Sequence, residues 1–377
     1  MFISGIGRTK FGALSESLPE LLYETMYNTL KDSYLNISDI GAIFVSNFLG
    51  GPLNGQLHLN SLVSSFLPDI NIPIIRIETA CASSGSAINQ AIHSLQKYEN
   101  IMILGAEKMT SDNIMGPIES LAMASDRYTD QMNGLIFPAS YALIAQQYMQ
   151  KYGINHEVLE LVSLINHQHA NLNPLAHFYN KQITLVKISN SPMVASPLNL
   201  FDCSPLSDGG AGVILSRNNE DDRDVKILSS QLASDSISIT HRKDLTSFKA
   251  TKIAAEKAYK ESKTVPLEID IFEVHDCFTI SELIALEDLG LCHPGEASAL
   301  IYNGQISRDG KQPVNTDGGL KANGHPIGAT GLAQIFELVT QIRGEAGERQ
   351  INEVTKGLAQ NIGGIGGTAS ITILGKV

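Results

Sequence analysis

Apolar positions along the chain alternate between helical faces and short uninterrupted runs, and the alternation is written twice. Leu21, Leu22, Thr25, Met26 and Leu30 recur at helical spacing. They lead into Asp39-Ile40-Gly41-Ala42-Ile43-Phe44-Val45-Ser46-Asn47, whose apolar run predicts a buried strand. The second copy places Phe248, Ile253, Ala254, Ala258 and Tyr259 on a helical face ahead of a strand predicted over Ile269–Asp276. In the first copy, the small residues Ala82-Ser83-Ser84-Gly85 then open a helix carrying Ala87, Ile88, Ala91, Ile92 and Leu95. Their counterpart, Gly324-His325-Pro326-Ile327-Gly328, opens one carrying Leu332, Ile335, Phe336, Val339 and Ile342. Gly209–Leu215 and Gly366–Leu374 then read as matching closing strands.

Strands alternating with helices imply an α/β fold, and two similar units favour a pseudo-twofold pair packed face to face, with function between them. The repeat assigns residues 1–110 to the first part of an N-terminal half, 197–222 to its closing strand and 223–377 to a C-terminal half. Residues 111–196 break the pattern with Met, Pro, Asn and His, with helices predicted at Ser140–Lys151 and Glu157–Asn171. This insertion reads as a loop domain, a ligand wall or lid, against the plainer reading of packing decoration.

Composition narrows the classes of function. With 43% hydrophobic and 18% charged residues over 377 positions, the chain can bury a large core and leaves no room for extensive disorder. A formal net charge of −12 argues against nucleic acid and anionic membrane surfaces, so an anionic ligand needs a local basic patch. The four cysteines, at 81, 203, 277 and 292, have no metal-ligand spacing and suit free thiols of a reducing compartment. Met1–Lys10 lacks a basic-then-apolar signal pattern, no apolar run is long enough to span a bilayer, and the final residues are not a Ser-Lys-Leu address. The expected location is the cytoplasm.

Cys81 follows the alternating run Ile74–Thr79 and directly precedes a helix, a setting of backbone N–H groups that lowers a thiol pKa and favours the nucleophilic thiolate. Its small neighbours let a substrate approach the backbone, whereas a lone cysteine is at least as often a small core residue. His325 sits in the second half where the turn of Cys81 sits in the first. His275 and Cys277 lie at a strand end before Thr279-Ile280-Ser281-Glu282, which has the form of a capping box. A neutral imidazole in either place can take a thiol proton or polarise a thioester oxygen, while most histidines are simply hydrogen-bonded residues. Asn361-Ile362-Gly363-Gly364-Ile365-Gly366-Gly367 can cradle an oxyanion but lacks the features of a nucleotide loop.

Four stretches together resemble the thiolase superfamily, in the branch of sterol-carrier-protein-2-like and archaeal acetoacetyl-CoA thiolases. They are Glu78–Gly85, Gly105–Thr110, Glu273–Phe278 and Asn315–Pro326, and the resemblance spans the whole chain. It implies a five-layered αβαβα fold, a homodimer or homotetramer, and ping-pong acyl transfer between acyl-CoA and acetyl-CoA through an acyl-cysteine on Cys81, with no tightly bound cofactor and no metal. His325 would take the thiol proton and, with His275 and a water, form one oxyanion hole; the N–H groups of Cys81 and Gly363 would form the other. Better-known thiolases carry a second cysteine in the final glycine-rich loop, where position 361 here is Asn, so the acid/base role passes to Cys277. The resemblance further implies a complex with a condensing synthase and a small zinc-ribbon/OB protein. For coenzyme A phosphates the expected basic residues are Arg242 and Lys243. Three other functions stay open: a decarboxylating ketosynthase-like condensing enzyme, a catalytically inactive acyl-CoA-binding scaffold of the same fold, and acyl transfer to a different carbon nucleophile. Acyl-chain length would be set by the loop domain, including Met132–Pro138.

Overall fold

The computed structural model describes residues 1–110 and 116–377; residue 111, where the loop domain was expected to start, lies outside them. In chain order the strands are β1 (Phe2–Arg8), β2 (Ala42–Ser46), β3 (Ile74–Ile77), β4 (Asn100–Glu107), β5 (Met193–Ala195), β6 (Leu198–Asn199), β7 (Gly209–Ser216), β8 (Val225–Ser234), β9 (Ile271–Glu273), β10 (Lys356–Gly363) and β11 (Thr368–Gly375). All but the small β5–β6 pair belong to one mixed sheet of order β3-β2-β4-β7-β1-β8-β11-β10-β9.

The duplication is visible in that order. Outward from the centre, β1-β7-β4-β2-β3 is answered by β8-β11-β10-β9, and a single parallel bridge from Phe272 to Val314 stands in for the missing outer strand. The two half-sheets join where Phe2 pairs with Lys226 and Ile3 with Val225. The helices Ser83–Ser94 and Thr330–Arg343 each pack on strands of both halves and on each other. Their apolar faces, Ala87, Ile88, Ala91 and Leu95 against Leu332, Ile335, Leu338 and Val339, fill one continuous core with Ile103, Val213 and Ala359. Such helices are buried over most of their surface because both sides are covered, polar residues such as Asn89 and Gln334 included. The outer helices need only one apolar stripe: Leu18–Asp32 covers β1, β4 and β7, and Lys249–Ser262 covers β8 and β11. This is the αβαβα layering.

The inserted segment crosses over. Its helices Phe137–Tyr152 and Glu157–Ala170 bury Tyr141, Ile144, Tyr148, Val158 and Val162 against Ala254, Leu283 and Ile284 of the second half. A wall carried by the first half's chain is thereby braced on the second.

Two local expectations give way to tertiary contacts. The strand predicted over 269–276 is formed only at Ile271–Glu273, because the next two N–H groups go to side chains: Val274 donates to Asn315 Oδ1 (2.8 Å) and His275 to Gln360 Oε1 (2.9 Å). The capping box at Thr279–Glu282 does not form. Thr279 donates its hydroxyl to Asp202 (2.8 Å), and Glu282 accepts from Asn166 (2.8 Å) and Asn315 (3.0 Å), so both capping groups are spent elsewhere.

Candidate active site

Cys81 is set by a tight turn after β3. Ala80 is left-handed at φ 52°, a conformation that costs a non-glycine residue about 1 kcal/mol. Its N–H donates to Glu78 Oε1 (2.6 Å), and its carbonyl accepts from Ser83 N (3.1 Å) and Ser83 Oγ (2.5 Å). Such strain persists where surrounding bonds over-determine the backbone, commonly at a nucleophile. Cys81, His275 and His325 are all buried, and each offers a ligand atom within 4.8 Å of the others.

The hydrogen-bond network gives the two imidazoles opposite tautomers. His325 Nδ1 lies 2.7 Å from Thr330 Oγ1, and that hydroxyl donates to Pro326 O (3.1 Å). The threonine oxygen is therefore an acceptor, Nδ1 of His325 carries the proton, and its Nε2 lone pair is free to act as a base. His275 Nδ1 lies 3.3 Å from the amide nitrogen of Asn361, which can only donate. Nδ1 is thus the acceptor, and the proton of His275 sits on Nε2, a buried atom with no protein partner. The same Asn361 amide nitrogen donates to Cys81 O (2.9 Å), while its oxygen accepts from Gly85 N (3.2 Å). The residue at the position of the familiar second cysteine thus fixes a histidine and the nucleophile's own peptide.

Cys81, Cys277 and His325 open into one cavity of about 330 Å³, walled by Phe48, Met109, Ile118, Leu121, Phe137, Leu206 and Phe278. Most of its lining is apolar, as befits a thioester site that excludes water. Cys203 also lines it, although no motif marked it. Residues from the insertion, Phe137 and Pro138 among them, form part of the wall; Met132, expected there too, is exposed and does not line it.

One electrostatic expectation is corrected. Burial pushes the Cys81 thiol up to about 12, outweighing the Gly364 N–H and its own N–H, which favour the thiolate; the Glu107 carboxylate pushes the same way as burial. Burial also holds His325 down to about 3 and His275 well below its ordinary range. The free site is therefore a neutral thiol facing neutral imidazoles, because desolvation disfavours the charged form of each group. A thiolate there forms with proton transfer to His325, not ahead of it.

Three other expected residues are placed as follows. Gly363 lies in β10 opposite Thr368, and the N–H that interacts with the Cys81 sulfur is that of Gly364, one residue further into the turn. Arg242 is half-buried, donating from Nη2 to Ser236 O (2.8 Å), with its guanidinium 6.0 Å from the Phe248 ring centroid. Lys243 is exposed, and neither of these basic residues lines the cavity.

The His325 loop is seated on β4. Gly328 N donates to Glu107 Oε2 (2.9 Å), and Glu107 also accepts from Phe48 N (3.0 Å), Leu49 N (2.8 Å) and Asn47 Nδ2 (2.6 Å). A Cβ on Gly105 would fall 2.2 Å from Gly328 O, so only glycine allows this approach. Residue reading missed Asn361, Thr330, Glu107 and Tyr141 as parts of the site. Glu107 and Asn361 stood within quoted stretches, whereas Thr330 and Tyr141 carry no local signal.

A fold of two such halves around a buried cysteine and two imidazoles of opposite tautomer defines an acyl-transferring enzyme of the condensing type. Residues 1–197 match the thiolase N-terminal domain and residues 232–376 the thiolase C-terminal domain-like family. The chain is 41% identical to an acetyl-CoA acetyltransferase of Methanothermobacter thermautotrophicus, over 99% of each chain. It is 32% identical to sterol carrier protein 2 of Bos taurus, covering 99% of this chain and 72% of that protein. Among solved structures, the Ltp2-ChsH2(DUF35) aldolase superposes with a TM-score of 0.87 at 26% identity, covering 100% of this chain and 97% of that one. The chain belongs to the thiolase family, and it is an acyltransferase that works on CoA-linked substrates. Among the described residues no helix is long and apolar enough to cross a membrane.

Proposed function

We propose that the protein interconverts two acyl-CoA molecules with a 3-ketoacyl-CoA and free CoA by non-decarboxylating Claisen chemistry. The observation that carries this reading is the pair of opposed tautomers beside two thiols. His325 Nε2 accepts the Cys81 proton as the sulfur attacks a thioester carbonyl. The tetrahedral oxyanion is met by the N–H groups of Cys81 and Gly364. Cys277 gives its proton to the departing CoA sulfur, then recovers one from the α-carbon of the second acyl-CoA. His275 Nε2–H, otherwise without a partner, donates to the enolate oxygen. The enolate carbon attacks the acyl-cysteine, and His325 returns its proton to Cys81. Every proton taken is returned.

Cys277 favours this chemistry over the decarboxylating ketosynthase reading, which needs no second thiol, and an organised base argues against a silent scaffold. Arg242 and Lys243 remain our candidates for the CoA phosphates, with the cavity receiving the pantetheine arm and acyl group. We place the enzyme in the cytoplasm as a homodimer or homotetramer acting in lipid metabolism. We also propose a complex with a zinc-ribbon/OB protein and a condensing synthase; the Ltp2-ChsH2(DUF35) aldolase is a similar chain joined to a DUF35 protein, which favours a partner of some kind. The test is an assay with acetoacetyl-CoA and free CoA, followed by mass spectrometry of the Cys81 peptide. An acyl adduct on Cys81 that is lost in Cys81→Ala supports the reading. Turnover with no adduct overturns it.

A further inference from the structure

Tyr141, from the helix Phe137–Tyr152 of the insertion, is fully buried and held on both sides. Its ring stacks on Phe278, centroids 4.4 Å apart at 21°, and meets Phe248 edge-on at 6.4 Å. With the ring fixed, only the hydroxyl hydrogen is free to turn. That hydroxyl donates to Gly364 O (3.1 Å) and also interacts with the Cys277 thiol. The residue it touches is the one whose own N–H, on the preceding peptide group, faces Cys81. Gly364 is itself fixed, at φ +61° with Ala124 O 2.8 Å from where a Cβ would stand.

The hydroxyl therefore has one proton and two neighbouring acceptors, Gly364 O always and Cys277 only when it is a thiolate. While Cys277 is protonated, its weak S–H donor can point at the phenol oxygen and the phenol proton stays on Gly364 O. Once Cys277 has protonated the leaving CoA, an uncompensated anion sits in a buried apolar site, and a hydrogen bond to a charged acceptor is about twice as strong as a neutral one. We infer that Tyr141 is a positioning residue for the acid/base thiol, its hydroxyl turning from Gly364 O to the Cys277 sulfur for the interval in which that sulfur carries no proton. The inference rests on the acid/base role proposed for Cys277. No proton leaves the phenol: O–H stays intact, and the proton that Cys277 regains comes from the α-carbon. Burial pushes the Cys277 thiol up, and the Tyr141 hydroxyl pulls against that shift.

Tyr141→Phe keeps the stacked ring and deletes only the hydroxyl. The experiment is iodoacetamide alkylation of the full chain across pH, resolved by peptide, together with exchange of the α-hydrogens of acetyl-CoA into deuterated water. In the variant the Cys277 alkylation profile moves to higher pH by about one unit, which is about tenfold at fixed pH. Hydrogen exchange falls by a similar factor, Cys81 alkylation keeps its rate, and adding Tyr141→Phe to Cys277→Ala costs nothing further. An unmoved Cys277 profile overturns the inference, as does a Cys81 rate that falls in step with it, the mark of a merely structural role. Because alkylation needs no turnover, the result stands apart from the activity test: wild type that forms no acyl-Cys81 sinks the functional reading, while the Cys277 profile still decides Tyr141.

Discussion

The rings of His275 and His325 meet edge to face, with centroids 5.1 Å apart and planes at 88°. Each ring's outer nitrogen is committed, one accepting from Asn361 and the other donating to Thr330. The remaining nitrogens, one donor and one acceptor, are what the site offers to substrate and sulfur. Two residues of one type are thus assigned opposite work by their partners.

Changing those partners should separate the two histidines. Thr330→Val removes the acceptor at His325 Nδ1, and iodoacetamide alkylation of Cys81 should slow by about tenfold, as for other residues that orient a ligand or base. Asn361→Ala releases the tautomer of His275, so the condensation step should fall by about 100-fold, the scale of a lost oxyanion donor. Measured side by side, equal effects of both variants on Cys81 alkylation would contradict the assignment.

Cys277 should govern proton transfer at carbon and not nucleophilic capture. In Cys277→Ala, exchange of the α-hydrogens of acetyl-CoA into deuterated water should drop by about 10²–10⁴, the range for loss of a general base. Alkylation of Cys81 by iodoacetamide should continue. Full acetoacetyl-CoA thiolysis in this variant would return the choice to a ketosynthase-like mechanism.

His156 should make stability depend on pH. Its Nε2 lies 2.7 Å from Asp202 and its Nδ1 3.2 Å from Glu160, and the hydrogen bond to Asp202 foremost holds the imidazole above its ordinary 6.5. A raised pKa contributes stability fully below 6.5, lost as pH climbs through the folded value. His156→Gln should therefore destabilise by about 2 kcal/mol in mild acid and by much less in mild alkali. Calorimetric melting of both proteins at the two pH values checks this; a difference that grows with pH would refute it.

Gly105→Ala should damage the site from below. The new methyl would meet the Gly328 carbonyl at 2.2 Å, and overpacking of this kind costs about 1–3 kcal/mol. Because the same loop carries His325, turnover should fall along with the melting temperature. An alanine variant with unchanged stability and activity would show that the loop can shift freely.

Much of this enzyme was legible in its residues. The twofold writing of helical faces and apolar runs announced two α/β units, since burial on one or both sides leaves a period in the sequence. Cys81, His275, Cys277 and His325 were legible as chemistry because they stand at strand ends and helix starts. Asn361, Tyr141 and Thr330 were not: an amide, a phenol and a hydroxyl in apolar surroundings gain a role only from what the fold brings against them. That the N–H facing the free Cys81 sulfur is the one of Gly364 was equally hidden, since in a glycine-rich turn this is settled by backbone direction.

What the sequence determined by itself was the pair of α/β units and the type of reactive groups, because periodicity and local turn chemistry are short-range properties. Tertiary structure alone decided the charge state of Cys81 and the tautomers of both histidines. Desolvation raised the thiol that the helix start was expected to lower, and partners distant in sequence set which imidazole nitrogen holds its proton. Proton affinity depends on everything within a few ångströms, and in this fold those neighbours come from both halves and the insertion.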